Sequence, residues 1–192
     1  MTGSAGIGHN NGPSMDAGVS WRRHAWKKAR ADLLPQMPLE IVRIRVKRAA
    51  ELGIDYRTYA SVRAATGRDI IALLFSSNAL RVFSNETALE PARAVKLGEV
   101  RRTSLRGLTA PGLDPDAVRS RLSADHGILF DKVVRAPGHL SPWGAARDRI
   151  LTATVGVPAD SVLLVGDMEL ERAWCDAGRL AGYLPAERYF GR

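Results

Sequence analysis

Two apolar runs constrain this 192-residue chain most: Ile70 to Phe75, and Val162-Leu163-Leu164-Val165. A run of four to eight apolar residues with no polar break cannot turn one face to water. It therefore reads as a strand covered on both sides, the environment of a parallel sheet. Asp69 to Phe75 and Ser161 to Val165 are expected as such strands. Ser104 to Thr109 and Ile128 to Val134 are weaker ones. Helical stretches are expected between them at Glu86 to Lys96, from the Asp114 cap to His126, from Ser141-Pro142-Trp143 to Val155, and at Leu170 to Ala177. Strand and helix in alternation predict an α/β fold, a three-layer Rossmann-like parallel sheet, over residues 68–192. With 45% apolar and 25% charged residues the chain can bury such a core.

Ahead of that region the texture differs. Residues 1–19 are rich in Gly, Ser and Asn and read as a flexible tail. Residues 20–66 read as a basic helical segment. Trp21, Ala25, Trp26, Ala29 and Leu33 form one helical stripe, which Pro35 and Pro38 end. Leu39, Val42, Val46, Ala49 and Leu52 form a second stripe, stopped by Gly53. A third helix runs from about Tyr56 to Ala65. Residues 21–50 carry nine Lys/Arg against Asp32 and Glu40, while the whole chain has a formal net charge of +8. A basic arm on a near-neutral body fits a nucleic acid or other polyanion, with Arg22, Arg23, Lys27 and Lys28 as phosphate contacts. The same residues also fit a solvated helix with no partner.

No apolar run approaches the roughly 20 residues of a membrane-spanning helix, and the N-terminus lacks a signal-peptide layout. The single cysteine, Cys175, excludes an intramolecular disulfide and a multi-Cys zinc site. A cytoplasmic protein with no membrane partner is the expectation.

Ala49-Ala50-Glu51-Leu52-Gly53-Ile54-Asp55-Tyr56 and the residues to Val62 resemble a helix-turn-helix. Ala49 stands at the close helix approach, Gly53 in the turn, and Ile54, Tyr59 and Val62 at packing positions. The resemblance implies that Arg57, Thr58, Ser61 and Arg63 lie on an exposed face able to enter a DNA groove. A plain helical hairpin packed on the next domain satisfies the same pattern.

The stretch Gly156-Val157-Pro158, then Ser161 to Val165, Gly166-Asp167-Met168-Glu169-Leu170-Glu171 and later Ala177-Gly178, resembles the fourth motif of haloacid dehalogenase-like phosphohydrolases. The Ala-Gly pair comes one residue earlier than usual. Gly127 to Val134 resembles the family's third strand, and Arg106-Gly107-Leu108-Thr109 its second. The resemblance implies Mg²⁺ at Asp167 and Glu171, and a phosphate contact from Thr109. A carboxylate pair there also fits plain capping of the following helix.

The first motif departs from the family. There, one aspartate attacks phosphorus and a second shuttles the proton. Here Ser76 stands at the nucleophile position and Asn78 at the acid/base position. Ser141 replaces the third motif's lysine, leaving Arg135 or His139 to supply charge. A second alignment makes Ser76 or Ser77 the second motif's hydroxyl and loses the first motif altogether. The expectation is a binding or regulatory module without ordinary phosphatase activity, taking a small phosphate-containing ligand. The competing expectations are an Mg²⁺-dependent phosphohydrolase with an altered nucleophile, and a DNA-binding protein using the helix-turn-helix-like segment.

Overall fold

The structure is a computed structural model that describes residues 37–138 and 140–191. The tail at 1–19, the helix expected at 20–35 with Arg22, Arg23, Lys27 and Lys28, and His139 lie outside the described residues. Glu40–Arg192 forms one compact unit. No helix among the described residues is long and apolar enough to cross a membrane.

Helix α1 (Leu39–Glu51) and helix α2 (Tyr56–Thr66) form where the apolar stripes placed them. Gly53 makes the turn between them at φ +70°, a left-handed backbone that costs glycine little. Asp55 caps α2, its carboxylate accepting from the Thr58 amide at 2.8 Å. Both helices belong to the same compact unit as the sheet, into which they send Ala49, Leu52, Ile54 and Tyr59.

Strand β1 (Ala72–Ser76) then opens a five-stranded, all-parallel sheet with β2 (Ser104–Thr109), β3 (Lys132–Arg135), β4 (Val162–Gly166) and β5 (Gly182–Pro185). The strand order is β3-β2-β1-β4-β5. Leu73 pairs with Leu105 on one side and Leu163 on the other, so the two apolar runs lie side by side. Helices α3 (Ser77–Leu80), α4 (Pro91–Glu99), α5 (Pro115–His126), α6 (Trp143–Ala153), α7 (Glu169–Gly178) and α8 (Ala186–Phe190) fill the connections.

Period-two alternation divides the strands between two cores. Leu73, Phe75, Leu163 and Val165 face one core, with Leu97 of α4, Leu122 of α5 and Tyr189 of α8. Ala72, Leu74, Val162 and Leu164 face the other, with Ile150 of α6 and Trp174 of α7. Helices on both faces give the three-layer Rossmann-like α/β architecture.

Several elements differ from expectation, the short helix α3 among them. The helix expected from Glu86 begins only at Pro91, because Ser84 and Thr87 bond to each other in a local turn (2.9 Å) and proline suits the first helical turn. The strand expected from Ile128 begins at Lys132; Ile128 and Phe130 are buried but enter the core ahead of the ladder. Strand β5 and helix α8 were not anticipated. The second alignment of the first motif expects no nucleophile strand ahead of β1, and among the described residues no strand precedes it.

Phe75 is fully buried in the central strand, with ring centroids 5.2 Å from Tyr189, 6.3 Å from Phe130 and 6.0 Å from Phe190. Replacing Phe75 by Ala should cost about 3–5 kcal/mol, a large part of the stability of a domain this size. Urea unfolding checks this; a loss below about 1 kcal/mol would show that this aromatic cluster contributes little.

Candidate functional site

The order β3-β2-β1-β4-β5 makes the chain leave β1 toward one edge, return, and continue from β4 toward the other. The helices leaving neighbouring strands β1 and β4 therefore diverge. The crevice beyond their carboxyl ends is where parallel sheets hold ligands. Ser76 ends β1, Gly166 ends β4, and Asn78, Asp167, Met168 and Glu171 follow directly.

Each first-motif hydroxyl is committed to the fold. Ser76 Oγ accepts the Ala79 amide at 3.0 Å and caps α3. Ser77 Oγ accepts the Ala110 amide at 3.0 Å, tying α3 to the exit of β2. Thr109 is buried at the end of β2 and donates to the Val134 carbonyl at 3.4 Å. Among the described residues, no histidine or carboxylate hydrogen-bonds to Ser76 Oγ.

Asn78 crosses from the β1 side to the β4 side. Its Nδ2 donates to Glu171 Oε1 at 2.9 Å and to Met168 Sδ at 3.1 Å. Glu171 is completely buried. Its Oε2 accepts the amides of Asp167 at 2.6 Å and Met168 at 3.1 Å. The carboxylate thus closes the first turn of α7 in a capping box, where the helix dipole favours negative charge.

Gly166 makes room for this arrangement. A Cβ there would collide with Glu171 Oε2 and stand 2.6 Å from the Tyr183 ring. The Tyr183 hydroxyl donates to the Met168 carbonyl at 3.1 Å. Burial, helped by the nearby Glu171 charge, pushes its pKa up to about 12, so it stays a protonated donor.

Asp167 remains exposed. It opens onto a cleft of about 520 Å³ that Arg81, Arg93, Glu187 and Phe190 also line. Arg93 is buried, donating to the Ala79 carbonyl at 2.5 Å and to Glu90 at 3.1 Å, with its guanidinium 4.4 Å over the Phe190 ring. Arg81 is freer, paired only loosely with Glu90 at 3.9 Å. Among the described residues, no three His, Cys, Asp or Glu side chains converge as a metal group.

The structure therefore brings Asn78, Glu171 and the Asp167 backbone together. Ser76 and Thr109 stand at the ends of neighbouring strands β1 and β2, each in its own structural bond. Arg135 ends β3 and is exposed. On α2, Arg57 and Ser61 are exposed. Thr58, expected on that exposed face, is buried between Asp55 and Arg188, and Arg63 is half-buried against Tyr59 and Asp69. Tyr183, Arg81, Arg93 and Glu187 went unread in the sequence, and Gly182-Tyr183-Leu184-Pro185 is too short to signal β5 and with it Tyr183. No family model, curated protein or solved structure matches this chain.

Replacing Asn78 by Asp would set a carboxylate against the buried Glu171. The protein should lose about 1–3 kcal/mol at neutral pH, from a lost hydrogen bond and a like-charge contact. Facing carboxylates hold a proton more tightly in the folded state than in the unfolded chain. Stability of the variant therefore rises as pH falls, and the deficit narrows below about pH 5. Unfolding curves at two pH values check it; a deficit that widens in acid would contradict the geometry.

Cys175 is buried on α7, and burial pushes its thiol up to about 11. It should react with thiol reagents at pH 8 only as fast as the fold opens, and freely in denaturant. Rapid labelling of the native protein would contradict this.

Proposed function

We propose that this chain is a haloacid dehalogenase-like domain that binds a small ligand at the carboxyl edge of its sheet and carries out no ordinary phosphoryl transfer there. The observation that carries the reading is the bond from Asn78 to Glu171. It joins the two positions where the family keeps its proton shuttle and a metal-binding carboxylate.

Phosphoryl transfer by this family needs a nucleophile, a group that exchanges a proton, and a cation. An amide at residue 78 does not exchange a proton near neutral pH. A serine is a weak nucleophile without a base beside it, and the oxygen of Ser76 accepts a helix amide. Mg²⁺ demands near-octahedral oxygen ligands. Glu171 already accepts three protein donors on its two oxygens, and among the described residues no three His, Cys, Asp or Glu side chains gather to hold a metal. The residues present do not fit a resident Mg²⁺.

What remains at the edge is a recognition surface. Arg81 brings positive charge to the cleft with the buried Arg93 behind it, Glu90 pairs with both at 3.9 and 3.1 Å, and Asp167 and Glu187 supply further acceptors. A small molecule bearing a phosphate or similar anion, with hydroxyl or amine donors alongside, satisfies both sets. Sheet order supports the reading as well, because the cleft lies at the crevice that the topology creates.

A phosphate-ester assay with added Mg²⁺ tests the proposal. The wild-type protein and Asp167→Asn should both give turnover indistinguishable from buffer. Robust turnover that Asp167→Asn abolishes would overturn it and restore the enzyme reading.

A further inference from the structure

At the opposite, amino-terminal edge of the sheet, α1 and α2 enclose a groove of about 690 Å³ with the chain entering β1 and β2. Ile41 and Ile44 of α1 and Ile71 ahead of β1 line it, and all three are exposed, Ile44 by 64%. Ile41 and Ile44, three residues apart, share one face of α1, and exposed apolar side chains clustered in this way mark an interaction site.

The groove is positively charged. Arg45, Lys47, Arg48, Arg63 and Arg102 meet two carboxylates, Glu51 and Asp69, a surplus of three charges. Both carboxylates are already engaged. Arg48 donates to Glu51 at 3.1 Å, to Asp69 at 3.2 Å and to the Ile70 carbonyl at 2.6 Å. Tyr59 donates to Asp69 at 2.8 Å. This network holds the floor rigid and leaves Arg45, Lys47 and the highly exposed Arg102 at the rim.

We propose that this groove docks an acidic amphipathic peptide segment of a partner protein, its apolar stripe on the isoleucines and its carboxylates on the rim cations. Charge complementarity selects this occupant. A second copy of the chain would set this groove's surplus of cations against its own like charge. A nucleic acid would meet aliphatic walls, because among the described residues the one aromatic side chain lining the groove, Tyr59, is buried and turns its hydroxyl to Asp69. Single strands are held by exposed aromatic platforms.

The test uses the full chain and a labelled synthetic helix of about 16 residues, with leucines at i, i+3, i+4 and i+7 and glutamates elsewhere. Anisotropy should show binding that a leucine-scrambled peptide of equal charge lacks. Ile44→Asp and the double variant Arg45→Ala/Lys47→Ala should each weaken binding about tenfold or more. Val95→Asp, at an equally exposed apolar residue on α4, should leave it unchanged. Equal melting temperatures would show that each variant is folded. The proposal is overturned if the peptide does not bind, or if Ile44→Asp leaves its affinity intact. It is also overturned if duplex DNA displaces the peptide while ignoring Ile44→Asp, or if sedimentation shows a dimer that Ile44→Asp dissolves.

Discussion

Every layer of this molecule depends on the burial of β1 on both faces. A strand in the centre of a sheet must pair with neighbours on either side, and an apolar strand must also be roofed above and below. β1 meets both demands. It pairs in register with β2 and β4, sends Leu73 and Phe75 into one core, and sends Ala72 and Leu74 into the other. Hydrophobic transfer at about 25 cal/mol per Å² makes the burial of such a strand a large favourable contribution to folding. Because β1 is central, the chain must leave it toward one edge and come back to the other. That return creates the crevice in which residues 76–78 meet residues 166–171.

The contents of the crevice follow from its polar accounting. A buried carboxylate is costly unless donors surround it. Glu171 is supplied by two backbone amides of its own helix turn and by the Asn78 side chain. The Asn78 bond therefore links the first turns beyond two adjacent strands, and Gly166 gives it room. An aspartate at residue 78 would repel Glu171, so the asparagine and the buried glutamate are consistent as a pair. The polar groups of the crevice are committed to holding this edge of the sheet together.

The two ends of the sheet differ in chemistry. The carboxyl end offers Asp167, Arg81 and Glu187 around an open cleft suited to a small polar molecule. The amino end offers isoleucines framed by cations, suited to a longer amphipathic partner. Both surfaces belong to one compact unit built on the same strands.

Local pattern in the sequence determined the parts of this structure that short-range physics controls. Fully apolar runs marked β1 and β4, since nothing but double-sided cover tolerates them. An apolar stripe marked α1, with the stop at Gly53, because glycine adopts its left-handed backbone at little cost. Asp114 marked the start of α5, and His126 stands at its expected end. The order of residues 161–171 marked where Asp167 and Glu171 would stand. Tertiary structure decided the rest. The chain between Ile128 and Asp131 is apolar enough for a strand, yet ladder pairing with β2 begins only at Lys132. Strand β5 and helix α8 are too short to show a period, and form because β4 offers an open edge and Phe75 an aromatic neighbour. That Glu171 is buried, that Asn78 holds it, and that Thr58 faces inward are all consequences of contacts more than ninety residues apart in the chain. Such contacts carry no local signature, because each partner is an ordinary polar residue until the sheet brings the two together.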